Sequence, residues 1–229
     1  MLVDASVARS FAVVGWSHHL LQVCGGTVLI ADGVHGAEPD DPSELRRIRR
    51  ALLRQADQAG LGSGAASRAL AAIEGLDQLL ALGPDQLSVL TLNDDELKLA
   101  VRLQSRQQED REWRHSLGAT ARRLDAGGSA SIAIAATRSL EFASNDEDAV
   151  TLWEALTGAP GRRTRDLLRQ LVTDGVVDEH DARAVPRAPE RRPPQPQRTG
   201  LVDGPSRRSA PPFCESSCRL MVLWPSRRL

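Results

Sequence analysis

With 229 residues, 41% of them hydrophobic and 26% charged, the chain can bury one substantial core with length left for a tail, and global disorder is excluded. Aromatic residues are only 3% and Tyr is absent, which disfavours an RNA module that stacks bases on aromatic faces. No run approaches the roughly 18 uninterrupted apolar residues of a membrane span, and the three cysteines, Cys24, Cys214 and Cys218, follow no basic-then-apolar leader, so a reducing cytoplasm is the expected compartment.

The net charge of −1 conceals an asymmetry. From Val185 onward nine Arg face Glu190, Asp203 and Glu215, a net of +6, so residues 1–184 carry −7. The same tail holds nine of the 13 prolines. Proline fixes φ and lacks an amide donor, so 185–229 is expected to be a disordered Arg/Pro-rich tail behind a single domain at 1–184. The tail starts abruptly inside a helical pattern (Glu179, Asp181, Ala182, Arg183, Ala184). Two readings stay open: the product of a shifted reading frame, or a basic arm for RNA or another polyanion.

Within 1–184 strands and helices alternate. Met1 to Ala5 reads as a short strand ending at Asp4 and Ser6, and Thr27 to Ala31 as a second, β-branched one. Pro42, ahead of Glu44, opens a helix through about Ala59 with its acids near the positive end of the dipole. A second helix runs from Ser63 to Leu82, with Leu70, Ile73, Leu76, Leu79 and Leu80 at helical spacing, and Gly83-Pro84 stops it. Ser88 to Leu92 reads as a strand. Asn93 with Glu96 forms a capping-box pattern for the next helix, which accounts for the acids Asp94-Asp95-Glu96. Gly127 to Arg138 is an apolar, buried helix, Leu140 to Ser144 a strand, and Asp148 to Thr157 a helix. This alternation predicts an α/β fold: a parallel sheet flanked by helices, with ligands beyond the carboxyl ends of the strands.

Two acidic sites fall at such ends, Asp4 after Met-Leu-Val and Asp146 with Asp148 after Phe-Ala-Ser-Asn. Carboxylates on neighbouring strand ends can share one divalent ion, and hard oxygen ligands suit Mg²⁺ or Mn²⁺. The alternative for each acid taken singly is a helix N-cap. His18, His19, His35, His115 and His180 lack metal-ligand spacing. Gly127-Gly128-Ser129 reads as a helix start, and Trp16 and Trp153 as core fillers.

These stretches resemble the PIN-domain family of toxin-type ribonucleases. Met-Leu-Val-Asp-Ala-Ser-Val is similar to the family's first strand with its leading acid, and Leu20-Leu21 with Thr27 to Val34 to its second strand. Leu124 to Ala135 is similar to its late helix, and Phe142 to Ala149 to its last acidic turn. The resemblance spans about Met1 to Leu156 and leaves a helical insertion at about 61–117. It implies a Mg²⁺- or Mn²⁺-dependent ribonuclease hydrolysing RNA phosphodiester bonds. Asp4, Asp146 and Asp125 would be its catalytic acids, Asp4, Asp146, Asp148 and Glu38 its metal ligands, and Ser6 a hydrogen-bonding support. It also implies a small antitoxin-like protein partner. The chain departs from the family at Gly128 and Ala37, where acids usually stand, with Asp125 and Glu38 nearby. A second reading follows: a catalytically weakened PIN-like domain that binds RNA or protein.

Overall fold

The structure, a computed structural model, describes residues 1–35, 43–60, 62–117 and 124–185, all within one compact unit, Met1–Glu190. Ala37, Glu38 and the tail from 186 to 229 lie outside the described residues, and so do the readings placed on them.

The chain folds in the order β1 (Leu2–Val3), α1 (Ala5–Ala12), α2 (Ser17–Val23), β2 (Val28–Ala31), α3 (Asp32–His35), α4 (Glu44–Ala59) and α5 (Gly64–Leu80). Then come β3 (Leu87–Leu90), α6 (Asp94–Gln104), α7 (Gln108–Ser116), α8 (Ala126–Thr137), β4 (Phe142–Ala143), α9 (Glu147–Thr157), α10 (Thr164–Thr173) and α11 (Glu179–Ala184). The four strands form one parallel sheet in the order β3-β2-β1-β4. Beyond β4, Arg162 makes a parallel bridge to Ala143.

Strand order fixes where the helices go. Moving from β1 to β2 to β3 proceeds in one direction across the sheet, and right-handed crossovers place α1 to α5 on one face. The chain then returns past β1 to β4, which sends α6 to α8 to the opposite face. Packing agrees for the long helices, α5 lying against α4 and α1 and α8 against α6, α9 and the strands, while the short α3 that follows β2 touches both α4 and α8. Most of α8 is buried, as expected for a helix without a polar stripe. The stretch at 61–117, read from sequence as an insertion, supplies the edge strand β3 and helices from both layers. No helix of the described residues is long and apolar enough to cross a membrane.

The capping box at Asn93 is present, with Glu96 Oε2 accepting from the Asn93 amide at 2.8 Å. Glu96 does more than cap. It is fully buried and takes a bidentate contact from Arg138, at 2.7 and 2.9 Å, which ties the start of α6 to the end of α8. That guanidinium holds the Glu96 carboxyl below the usual range. Trp153 is buried against Phe142. Leu70, expected in the apolar stripe of α5, is instead exposed.

Candidate active site at the sheet switch point

Strand order reverses between β1 and β4, and in open α/β sheets the crevice outside such a reversal is where ligands bind. Asp4 ends β1 there. Its side chain is 5% exposed and caps α1 through the Ala5 amide at 2.8 Å. Oδ2 accepts from Ser144 at 2.8 Å and from Ser6 at 3.1 Å. Burial pushes the Asp4 carboxyl up, opposed by these three donors, and the Asp125 charge raises it further.

Ser144 connects the two strand ends. Its hydroxyl serves Asp4 and accepts from the Asp146 amide at 3.0 Å. Ser6 Oγ likewise accepts from the Asn145 amide at 2.9 Å. The Asn145 side chain donates to Thr164 Oγ1 at 2.8 Å, and its Oδ1 accepts from the Thr164 amide at 3.0 Å, so the turn after β4 is pinned to α10. Asp146 is exposed and caps α9, accepting from the Asp148 amide at 3.0 Å. Asp148 is half-buried in that first turn. Asp125, exposed, caps α8 through the Gly128 amide at 2.8 Å.

A further acid feels the charge of Asp4, Asp125 and Asp146. Glu44 opens α4, its Oε2 is buried without a hydrogen-bond partner, and its carboxyl is pushed up to about 8. Burial is the largest cause; the charges of Asp4, Asp125 and Asp146 add to it, and Arg47 opposes it. Sequence reading looked for this second acid near Ala37 and Glu38 and took Glu44 only as a dipole-compensating residue. The signal available was an acid at the first position of the first long helix after β2.

The glycines of α8 explain how Glu44 fits. A Cβ on Gly127 would collide with Glu44 Oε2 and stand 3.2 Å from Val34 Cγ2, whereas one on Gly128 would stand 3.2 Å from Asp125 Oδ1. Gly127 therefore faces Glu44, and Gly128 faces the Asp125 cap. Gly127→Ala should displace the Glu44 carboxyl, which is the far end of a flexible side chain. Its effect on stability should stay within about 1 kcal/mol, the helix-propensity gain of Ala offsetting the contact. Thermal unfolding without metal should be nearly unchanged, while any Mn²⁺-induced rise in Tm should shrink. An unaltered Mn²⁺ response would separate Glu44 from the site.

Four carboxyl groups, one with an unpartnered buried oxygen, make a donor set of the hard-oxygen type that suits Mg²⁺ or Mn²⁺. As the side chains stand, no three His, Cys, Asp or Glu groups among the described residues converge closely enough to hold one ion. Asp125 and Asp146 each commit Oδ1 to a helix cap. No protein family, no characterised protein and no solved structure matches this chain.

Proposed function

We propose that the chain is a PIN-like, Mg²⁺- or Mn²⁺-dependent ribonuclease whose acids are Asp4, Glu44, Asp125 and Asp146. The observation that carries this reading is the unpartnered Oε2 of Glu44, buried in the field of three other carboxylates at a sheet switch point. Clustered carboxylates repel one another, and a cation that joins them removes that cost.

Asp4, Glu44, Asp125 and Asp146 would hold the ion. A divalent ion in such a site lowers the pKa of water and neutralises phosphate charge. The chain itself supplies orientation. Ser144, Ser6 and the Ala5 amide fix both oxygens of Asp4, leaving little side-chain freedom to lose on binding. Glu44 retains a proton at neutral pH when no cation is present, so occupancy expels a proton from its carboxyl. Ser6 and Ser144 act as positioning residues through Asp4.

The test is cleavage of single-stranded RNA with Mn²⁺. The parent protein should cleave, and Asp4→Asn and Asp146→Asn should fall to background while keeping their folds. Unchanged cleavage in both variants would remove this site. The helix caps at Asp125 and Asp146 favour a second reading, a weakened PIN-like domain that binds without cutting, because they hold these two acids in structural roles. Its signature is RNA binding by the parent protein with no Mn²⁺-dependent cleavage.

A further inference from the structure

We propose that the outer face of α4 is a track for the phosphate backbone of a single RNA strand, leading it to the carboxylate cluster. The proposal rests on the ribonuclease reading and specifies how the substrate is gripped. Five arginines, Arg46, Arg47, Arg49, Arg50 and Arg54, and no acid stand between Leu45 and Ala56. They lie on a body whose net charge is −7, so this is a local positive feature on a negative surface.

Leu45, Leu52 and Ala56 turn into the core, which leaves Arg47 and Arg54 two turns apart on the outer face, with Arg46 on its flank. The helix rises about 10 Å between these two, a span that a short stretch of one strand covers. Arg49 is turned away and paired with Asp77 on α5 at 2.6 and 2.8 Å. Arg46, Arg47 and Arg54 have no ion pair among the described residues. Arg47 and Arg54 are exposed, and Arg46 is half-buried with its Nε unpartnered.

The track starts at the site. Glu44 is the first residue of α4, and the Arg47 charge acts directly on its carboxyl. A strand laid along these guanidiniums therefore reaches the carboxylate cluster, which would repel a phosphodiester unless arginines and a cation offset it. Arginine suits the task because its planar donor fork matches phosphate oxygens.

The experiment is fluorescence anisotropy of a short labelled oligouridylate with the full-length chain in EDTA, where binding is read without cleavage. Binding should weaken with salt, and Arg46→Ala/Arg47→Ala/Arg54→Ala should reduce the slope of log K against log salt by about 2, since each phosphate contact on a single strand contributes about 0.7. Between about 50 and 200 mM salt that slope corresponds to roughly twentyfold in affinity. Arg68→Ala/Arg106→Ala/Arg111→Ala removes the same net charge from exposed arginines elsewhere and should leave the slope unchanged. Replacing the three α4 arginines by Lys should keep most of it, which separates charge from folding defects. Equal slopes in the two Ala triples overturn the track. Displacement of the RNA by polyglutamate at equal charge would assign the face to acidic proteins instead, and so would also overturn it. Loss of Mn²⁺-dependent cleavage with the track intact would strike only the ribonuclease reading.

Discussion

Replacing Glu44 by Gln is expected to make the metal-free protein more stable at alkaline pH and to flatten its stability profile. The sign follows from the proton count. The Glu44 carboxyl titrates at about 8 in the folded chain, against about 4.3 for an unperturbed Glu. Below the lower value both states hold the proton, and the favourable contribution of the neutral group is intact. Between the two values the unfolded chain has lost the proton while the folded chain keeps it, so stability falls as pH rises and levels off above about 8. The slope is at most ~1.4 kcal/mol per pH unit, and water at the mouth of the site reduces it. Gln carries no titrating proton, so melting curves of parent and variant should coincide near pH 4 and diverge progressively toward pH 8. Parallel profiles across that range would show that Glu44 is not held in a hostile field.

The largest loss of stability is expected from Gly75→Ala. Gly75 sits inside α5 where it crosses α1, and its carbonyl accepts from Ser17 at 3.2 Å. A Cβ there would overlap the Ala12 carbonyl oxygen and stand 2.7 Å from its carbon and 3.3 Å from its Cα. These are backbone atoms, so no rotamer change relieves the contact and the two helices must separate. Overpacking of this kind costs about 1–3 kcal/mol, occasionally more, and rigid backbone places Gly75 at the upper end. A drop in Tm of about 6–12 °C follows for a domain of this size. Calorimetry checks it, and a Tm within about 2 °C of the parent would mean that α1 and α5 slide apart at little cost. Because α1 also carries Ser6 and is capped by Asp4, the variant should disturb the site as well.

Much of the architecture was legible because period and punctuation are local properties. Val28–Ala31 is β-branched and apolar, Asn93 with Glu96 announces a helix start, and Asp4 and Asp146 stand at strand ends by sequence alone. What escaped is set by tertiary contact. Glu44 follows β2 by a dozen residues, and only the approach of its side chain to Gly127 at the start of α8 brings it to the cluster. Gly128 looked like the vacant acidic position, yet it is Gly127 that faces Glu44. A helix rotates about 100° per residue, so adjacent glycines face different neighbours. Leu70 fits the helical spacing of its neighbours but points to solvent, because α5 buries its small residues, Ala66, Ala69, Ala72 and Gly75, against the facing helices. The pairing of Glu96 with Arg138 spans 42 positions and leaves no trace in spacing.

The central claim is that these acids share a divalent cation, and an Mn²⁺ titration followed by thermal unfolding tests it most directly. A ligand that binds only the folded state raises stability by RT ln(1 + [L]/Kd), about 2.7 kcal/mol at a hundredfold excess over Kd. The parent protein should therefore gain several degrees in Tm, and more at pH 8.5 than at pH 6, because binding must expel the Glu44 proton. Asp4→Asn and Glu44→Gln should lose most of that gain. A parent Tm that does not respond to Mn²⁺ at either pH, or a response that survives in both variants, would contradict the account.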